Sequence, residues 1–123
     1  MKPEKKSGFG HMLAATRYSL QGVKRLSLET AFRHEAGAAV FLVICMATVG
    51  ASVVQIALGV ALLIGVFASE AINTAIEEVV DHVSPDYSLA AKNAKDLGSL
   101  TVGLTVLAAY GYCLVVILVG LFA

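Results

Sequence analysis

The sequence has 123 residues, of which 58% are hydrophobic and 15% are charged, and nine basic and nine acidic residues give a formal net charge of zero. The charges fall in blocks and the mean hydropathy is +0.80, which excludes an ordinary soluble domain and indicates a membrane protein. A neutral chain without a basic patch interleaved with aromatic residues is not expected to bind nucleic acid.

The N-terminal segment is predicted to form a helix that lies at the membrane surface. Its first 35 residues carry seven basic and three acidic residues before any long apolar run, which argues against a cleavable signal peptide. Apolar and small residues recur at roughly helical spacing at Met12, Ala15, Tyr18 or Ser19, Val23 and Leu26, while Arg17, Gln21, Lys24 and Arg25 fall on another side. This pattern predicts an amphipathic surface helix over about 8–28, and the alternative is a solvated, partly helical leader.

The central apolar run is too long to be one membrane span. No charged residue occurs from Ala36 to Ser69, and 34 residues in one helix would extend about 50 Å, well beyond the roughly 30 Å hydrocarbon layer. Small and polar residues at 48–52 offer a break. We therefore predict one span over about 33–49 and a second over about 53–81, the end of which projects beyond the hydrocarbon.

The turn after the second span is marked by Ser84-Pro85-Asp86, in which a proline interrupts the helix between turn-forming neighbours. A third helix is predicted over about 90–121, entering the membrane near Gly98. The fold class is therefore an all-α membrane protein, with three transmembrane helices and an N-terminal surface helix in a single domain over residues 1–123.

The basic residues predict the orientation of the chain. Seven of them precede the first span, Lys92 and Lys95 lie between the second and third, and none flanks the turn near Gly50 or the C-terminus. The positive-inside rule then places the N-terminus in the cytoplasm and the C-terminus outside.

Polar residues form a stripe along the second span. At 100° per residue, one side of this helix carries Glu70, Asn73, Thr74, Glu77 and Asp81, while the other carries Ile72, Ala75, Ile76 and Val79 and is expected to pack. A carboxylate at the edge of the hydrocarbon is costly to desolvate. Because like charges one turn apart repel, a divalent cation would hold two of them together, and oxygen-only ligands suit Mg²⁺. We expect Glu70 and Glu77 to be functional, and Glu78 to belong to a solvated face.

Charges on the other two spans lie at the same level of the membrane. Glu29, Arg33 and Glu35 flank the start of the first span, and Lys95 and Asp96 precede the third. Carboxylates that hold magnesium, a base that orients an alcohol and a lysine that neutralises phosphates are the set needed for phosphoryl transfer. Helical periodicity alone does not identify that reaction.

Other candidate features carry less information. Cys45 and Cys113 lie inside predicted spans without partner histidines and are interpreted as packing residues. The segment at 8–10 is too short for a phosphate-binding loop, and the chain has no GxxxxGK[ST] motif.

Three segments resemble the prokaryotic diacylglycerol kinase family. The run Glu70-Ala-Ile-Asn73-Thr-Ala-Ile-Glu77-Glu-Val-Val-Asp81 resembles its signature E-x-[aliphatic]-N-[ST]-[SA]-[aliphatic]-E-x-x-[VA]-D. ETAFRHE at 29–35 resembles the segment E-x-A-F-R-x-E, and AKDLGS at 94–99 resembles A-K-D-x-G-S, so the likeness spans nearly all of residues 8–110. The chain departs from the family in lacking tryptophan, in a surface helix one residue shorter between Tyr18 and Glu29, and in Ser88 where a histidine is frequent.

The resemblance implies a homotrimer in the bacterial inner membrane that uses ATP and Mg²⁺ to phosphorylate diacylglycerol at the cytoplasmic face, giving phosphatidic acid. It implies catalytic roles for Glu70 as general base and for Asn73 in orienting the reacting groups. The implied Mg²⁺ ligands are Glu29 and Glu77. The implied ATP contacts are these two glutamates together with Tyr18, Asp86, Lys95 and Asp96. The implied lipid contacts are Arg33, Glu35, Glu70 and Ser99.

Three alternatives remain open at this point. Related small kinases share the stripe but phosphorylate undecaprenol instead. A small proton-coupled multidrug transporter needs its carboxylate deep in a span and an even helix count, whereas Glu70 lies near one interface of a three-span chain. A purely structural subunit would not explain why Glu70, Asn73 and Glu77 share a face.

Overall fold

The computed structural model of the protein describes residues 8–123, and this part of the chain forms four helices. They are α1 (Phe9–Leu26), α2 (Thr30–Thr48), α3 (Val53–Val83) and α4 (Leu89–Phe122). By length and composition α2, α3 and α4 can each cross a membrane, so the chain is a multi-pass membrane protein and the predicted fold class is confirmed. Lys2, Lys5 and Lys6, on which the predicted orientation partly depends, lie outside the described residues.

The turn between α2 and α3 lies where small and polar residues interrupt the apolar run. Gly50 has φ of 77°, a left-handed conformation that glycine adopts without steric cost. Ser52 then caps α3, since its hydroxyl accepts from the Gln55 amide at 3.2 Å while the Gln55 side chain accepts from the Ser52 amide at 2.8 Å. This reciprocal capping box starts the new helix immediately after the turn.

Two helices begin at the opposite end of the spans, at positions that hydropathy does not reveal. The backbone of Glu29 is extended, so α2 begins at Thr30, three residues before the start predicted from the apolar run. Ser88 caps α4 through a 3.1 Å bond from the Ala91 amide to its hydroxyl. Polar residues that precede the apolar segments are therefore held on regular helix.

The core lies where α2, α3 and α4 meet. Met46, Ala109 and Cys113 are completely buried there. A Cβ added at Gly59 would lie 3.1 Å from Met46 Cε and 3.4 Å from Cys113 Sγ, so this glycine allows α3 to approach both neighbours. Cys113 is thus a packing residue, as its position in the sequence predicts.

The polar stripe of α3 faces the other helices, and its apolar side faces outward. Glu70 and Thr74 are buried, whereas Ile72 and Val79 are 63% and 60% exposed. Our expectation that the apolar side packs is therefore wrong within one protomer. The physical reason is that lipid tails can cover apolar side chains, whereas polar groups at membrane depth must be sheltered among the helices.

Helix α1 is attached to the rest of the chain near its C-terminal end. Leu26 is its one buried residue, while Met12, Leu20 and Val23 are exposed. Phe32 of α2 and Phe67 of α3, which line the same pocket as Leu26, meet edge to face with ring centroids 5.2 Å apart. The end of α1 is therefore fixed beside the part of α3 that carries the polar stripe.

Candidate active site

The most buried part of the candidate site is a pair of carboxyl groups from two membrane-spanning helices. Glu70 of α3 is 6% exposed, and the carboxyl group of Glu35 on α2 lies beside it. Glu35 Oε2 is buried and has no hydrogen-bond partner among residues 8–123. Two carboxyl groups side by side, Glu70 buried and Glu35 half-buried, require a proton or a hydrogen-bond donor. An alcohol hydroxyl is a donor of this kind.

Asn73 stands one turn along α3 from Glu70 and forms a hydrogen bond with Glu77. Its amide nitrogen donates to Glu77 Oε1 at 3.3 Å, while its carbonyl oxygen is buried without a partner among residues 8–123. That oxygen faces Gly98 of α4 so closely that a Cβ on the glycine would overlap it. Glycine at position 98 therefore leaves room for the Asn73 side chain. The carbonyl oxygen of Asn73 can accept a hydrogen bond from a further donor.

Glu29 is held by the surface helix. Arg25, in the last turn of α1, donates from Nη1 to Glu29 Oε1 and from Nε to Glu78 Oε1, both at 2.6 Å. These bonds to Glu29 and Glu78 raise the pKa of Arg25 above its ordinary value, so the guanidinium stays charged. One side chain thus joins α1, the start of α2 and α3. Glu78, which we expected to be merely solvated, is 55% exposed but takes part in this link.

Two more ion pairs lie at the start of α4. Lys95 bonds Asp81 at the end of the polar stripe, and Lys92 bonds Asp96 one turn away at 2.5 Å. All four side chains are at least 40% exposed. Such exposed pairs contribute little to stability, so these lysines and carboxylates can exchange partners readily.

Within residues 8–123, no hydrogen bond or ion pair joins the remaining predicted residues to the carboxyl pair. Tyr18 on α1, Asp86 in the α3–α4 connection and Ser99 on α4 are exposed, and within residues 8–123 no hydrogen bond or ion pair joins their side chains to Glu70 or Glu77. Arg33 is also exposed and donates to Thr30 Oγ1 at 3.5 Å. One chain therefore places Glu35 beside Glu70 and bonds Asn73 to Glu77, and within residues 8–123 it makes no bond from the other four residues to these side chains.

The predicted magnesium ligands suit this ion by their chemistry. Glu29 and Glu77 each use Oε1 for one hydrogen bond, and each is a carboxylate. Within residues 8–123 no group of three or more His, Cys, Asp or Glu side chains could hold a metal by itself. Magnesium commonly takes only one or two protein carboxylates and fills its shell with water and phosphate oxygens. The donor set therefore fits a metal that arrives with a nucleotide.

A pocket lies between α1 and α3. Its volume is about 940 Å³, and its lining is mainly apolar, including Val23, Leu26, Ile64 and Phe67, with Arg25 and Glu78 among its polar residues. Glu35 and Glu70 do not line it, but Thr74 does, one helical turn from Glu70. Pockets of this size and polarity accommodate apolar ligands.

Sequence reasoning missed Arg25, Asp81 and Lys92 as partners of predicted site residues. Arg25 and Glu29 are four residues apart, a spacing that pairs charges on a helix, although α1 ends between them. Nothing in a single sequence relates Arg25 to Glu78, which is 53 residues away. Asp81 carried a weak signal because it completes the polar stripe.

Comparison with known proteins agrees with these features. Residues 17–118 match the protein family described as prokaryotic diacylglycerol kinase. A diacylglycerol kinase from Sinorhizobium sp is 52% identical over 96 residues, which cover 78% of this chain and 70% of that protein. The diacylglycerol kinase of Haemophilus influenzae is 37% identical over 99 residues, covering 80% and 84%, and that of Escherichia coli K12 is 30% identical over 104, covering 84% and 85%. The chain belongs to the prokaryotic diacylglycerol kinase family.

Proposed function

We propose that this protein transfers the γ-phosphoryl group of ATP to the hydroxyl of diacylglycerol, giving phosphatidic acid at the cytoplasmic face of the bacterial inner membrane. Family membership and relatives named diacylglycerol kinase support the reaction class and the substrate. The observation that carries the proposal for this chain is the Glu35–Glu70 pair, in which Glu70 and the Oε2 atom of Glu35 are buried, since it offers an acceptor for a hydroxyl on helices able to span a membrane.

Glu70 is the general base of this reaction. The lipid hydroxyl donates to Glu70 and gives up its proton there while its oxygen bonds to the γ-phosphorus, and ADP leaves as the bond to the bridging oxygen breaks. Glu35, which lies beside Glu70, contacts the lipid substrate. Asn73, held between α3 and α4 with a free carbonyl oxygen, orients the reacting groups.

The nucleotide side of the site is built from exposed charges. Glu29 and Glu77 would hold Mg²⁺, which when bound neutralises charge on the phosphates. Lys95 meets the phosphates by leaving Asp81, an exchange that an exposed ion pair permits. Asp96, Asp86 and Tyr18 contact the remainder of the nucleotide.

The lipid side uses apolar surface near the carboxyl pair. An acyl chain fits the pocket between α1 and α3, and Thr74 brings that pocket within one helical turn of Glu70, a rise of about 6 Å. Arg33 and Ser99 contact the lipid near its headgroup. The surface helix lies in the membrane interface, with its exposed apolar residues toward the bilayer.

The proposed active form is a homotrimer with its N-terminus in the cytoplasm and its C-terminus outside, and each chain is a single domain. A three-span protomer leaves wide apolar faces uncovered, and Tyr18, Asp86 and Ser99 are not joined to the buried pair within it. A site completed at an interface between protomers accounts for both observations.

A purified-protein assay tests this function. The protein in mixed micelles is given Mg·ATP with diacylglycerol or with undecaprenol, and phosphorylated lipid is quantified after extraction. We expect phosphatidic acid and lipid-stimulated ATP consumption. Preference for undecaprenol would show that the proposed substrate is wrong, and ATP consumption that neither lipid stimulates would show that the proposed reaction is wrong.

A further inference from the structure

The contact between Arg25 and Glu29 has a consequence for cation binding. Glu29 is a proposed magnesium ligand, yet its Oε1 already accepts a 2.6 Å hydrogen bond from a charged guanidinium. A divalent cation on the same carboxylate meets that positive charge at close range, where like charges repel. Arg25 and the metal therefore compete for Glu29.

Glu78 sets the strength of this competition. It accepts from Nε of the same guanidinium at 2.6 Å, so Arg25 divides its hydrogen bonds between Glu29 and Glu78. Both carboxylates are exposed enough, at 36% and 55%, for their bonds to Arg25 to break and re-form easily. Removing Glu78 leaves Arg25 free to act on Glu29 alone.

We propose that Arg25 is a competitor of the divalent cation at Glu29, and that Glu78 weakens this competition by sharing the guanidinium. This inference rests on the proposed function, which assigns Glu29 to the metal. Arg25 is a positioning residue, because it acts on the nucleotide-bound cation only through Glu29.

Two substitutions in the full-length protein should shift metal affinity in opposite directions. Binding is measured with Mn²⁺ as the probe, from the electron paramagnetic resonance signal of free Mn²⁺, in the presence of the non-hydrolysable analogue β,γ-imido-ATP. We expect Arg25→Met to tighten Mn²⁺ binding by about threefold and Glu78→Gln to weaken it by about threefold, the size expected for an exposed pair. Loss of structure alone would weaken binding in both variants.

Lys24→Met is the matched control. Lys24 precedes Arg25 on α1 and makes none of the ion pairs found within residues 8–123, so its removal changes the charge without breaking a contact. We expect a smaller shift for this variant, and one that 0.5 M salt abolishes, because distant charges are screened more than contacting ones. Equal shifts for Lys24→Met and Arg25→Met would overturn the proposal.

A double substitution tests the order of action. If Glu78 acts through Arg25, the Glu78→Gln effect disappears in the Arg25→Met background. An additive effect, unchanged Mn²⁺ affinity in Glu78→Gln, or weaker binding in Arg25→Met would each contradict the proposal. Should Arg25→Met fail to fold, unchanged Mn²⁺ affinity in Glu78→Gln would still contradict it. If the protein phosphorylates lipid but the variants do not shift Mn²⁺ affinity as expected, only this inference is wrong. If Mn²⁺ affinity shifts as expected but no lipid is phosphorylated, only the proposed function is wrong.

Discussion

At the scale of single residues, the site depends on carboxyl groups in two different settings. Glu70 is buried beside Glu35 and meets few donors, which suits a group that accepts a proton. Glu77 and Glu29 are more exposed than Glu70, which suits groups that hold a hydrated cation. In the proposed mechanism, burial therefore distinguishes the carboxylate that acts as base from those that hold the metal.

The metal role of Glu77 can be tested without disturbing its hydrogen bond. In Glu77→Gln the side-chain oxygen still accepts from Asn73, so only the negative charge is lost. We expect the Mg²⁺ concentration for half-maximal activity to rise on the order of tenfold, which corresponds to roughly 1.4 kcal/mol. Magnesium titration of the lipid kinase activity measures this, and an unchanged requirement would count against the metal role.

At the scale of helices, Gly98 of α4 has no side chain and so leaves space for the side chain of Asn73 on α3. In Gly98→Ala the new methyl group overlaps the Asn73 carbonyl oxygen, and the flexible amide moves away and loses its bond to Glu77. We expect kcat to fall about tenfold or more, since small displacements of catalytic groups are costly. Thermal unfolding in detergent should change little, because only the end of a side chain moves.

Gly103→Ala on the same helix is the control for this substitution, as nothing lies within 4 Å of the added methyl group. Its kcat should match that of the unmodified chain. If both glycine variants lose activity equally, the defect comes from α4 as a whole and the proposed contact with Asn73 is refuted.

The other end of α4 should affect stability without affecting catalysis. A methyl group at Gly120 would lie 2.7 Å from Val49 Cγ2 and 3.1 Å from the Val49 carbonyl oxygen, where backbone must move. We expect Gly120→Ala to lower the free energy of unfolding by about 1–3 kcal/mol. The control Gly111→Ala has no atom within 4 Å of its added methyl and should unfold like the original chain.

Kinetics distinguishes this end of the molecule from the site. The activity per folded Gly120→Ala molecule should stay normal, because Val49 and Gly120 lie at the opposite end of the spans from Glu70. A large fall in kcat with unchanged unfolding would show that this interpretation is wrong.

At the scale of the whole molecule, the outward faces of the spans require cover. Val40, Phe41, Leu107 and Leu118 are all more than half exposed. Lipid can cover such a surface, but it cannot bring the separate polar residues of one protomer together. We therefore expect a trimer by cross-linking and by light scattering in mild detergent, and fully active preparations that contain only monomers would rule out a site shared between protomers.

How much of this molecule its sequence predicts depends on the kind of signal. Hydropathy and the polar break at 48–52 predict three spans, because solvation by lipid acts on each segment independently. The period of the polar stripe groups Glu70, Asn73 and Glu77, but it does not say which face turns inward. We assigned packing to the apolar side, and the buried carboxyl group shows the reverse.

Contacts between helices are the part that one sequence does not contain. Glu35 meets Glu70, and Arg25 meets Glu78, only because α1, α2 and α3 fold against one another. The close approach of Gly98 to Asn73 likewise has no local signature, since a helical glycine can equally face open space, as Gly103 does. These contacts decide which charges are buried and which are paired.

One transfer experiment tests whether the buried carboxyl group of Glu70 on α3 activates the hydroxyl of a membrane lipid. The protein and its Glu70→Gln variant are incubated with diacylglycerol and ATP labelled in the γ-phosphate, and label in extracted phosphatidic acid is counted. We expect rapid labelling by the original chain and a loss of about 10²- to 10⁴-fold in a variant of unchanged helix content. Labelling at the same rate by the Glu70→Gln variant, or no labelled lipid from either protein, would contradict it.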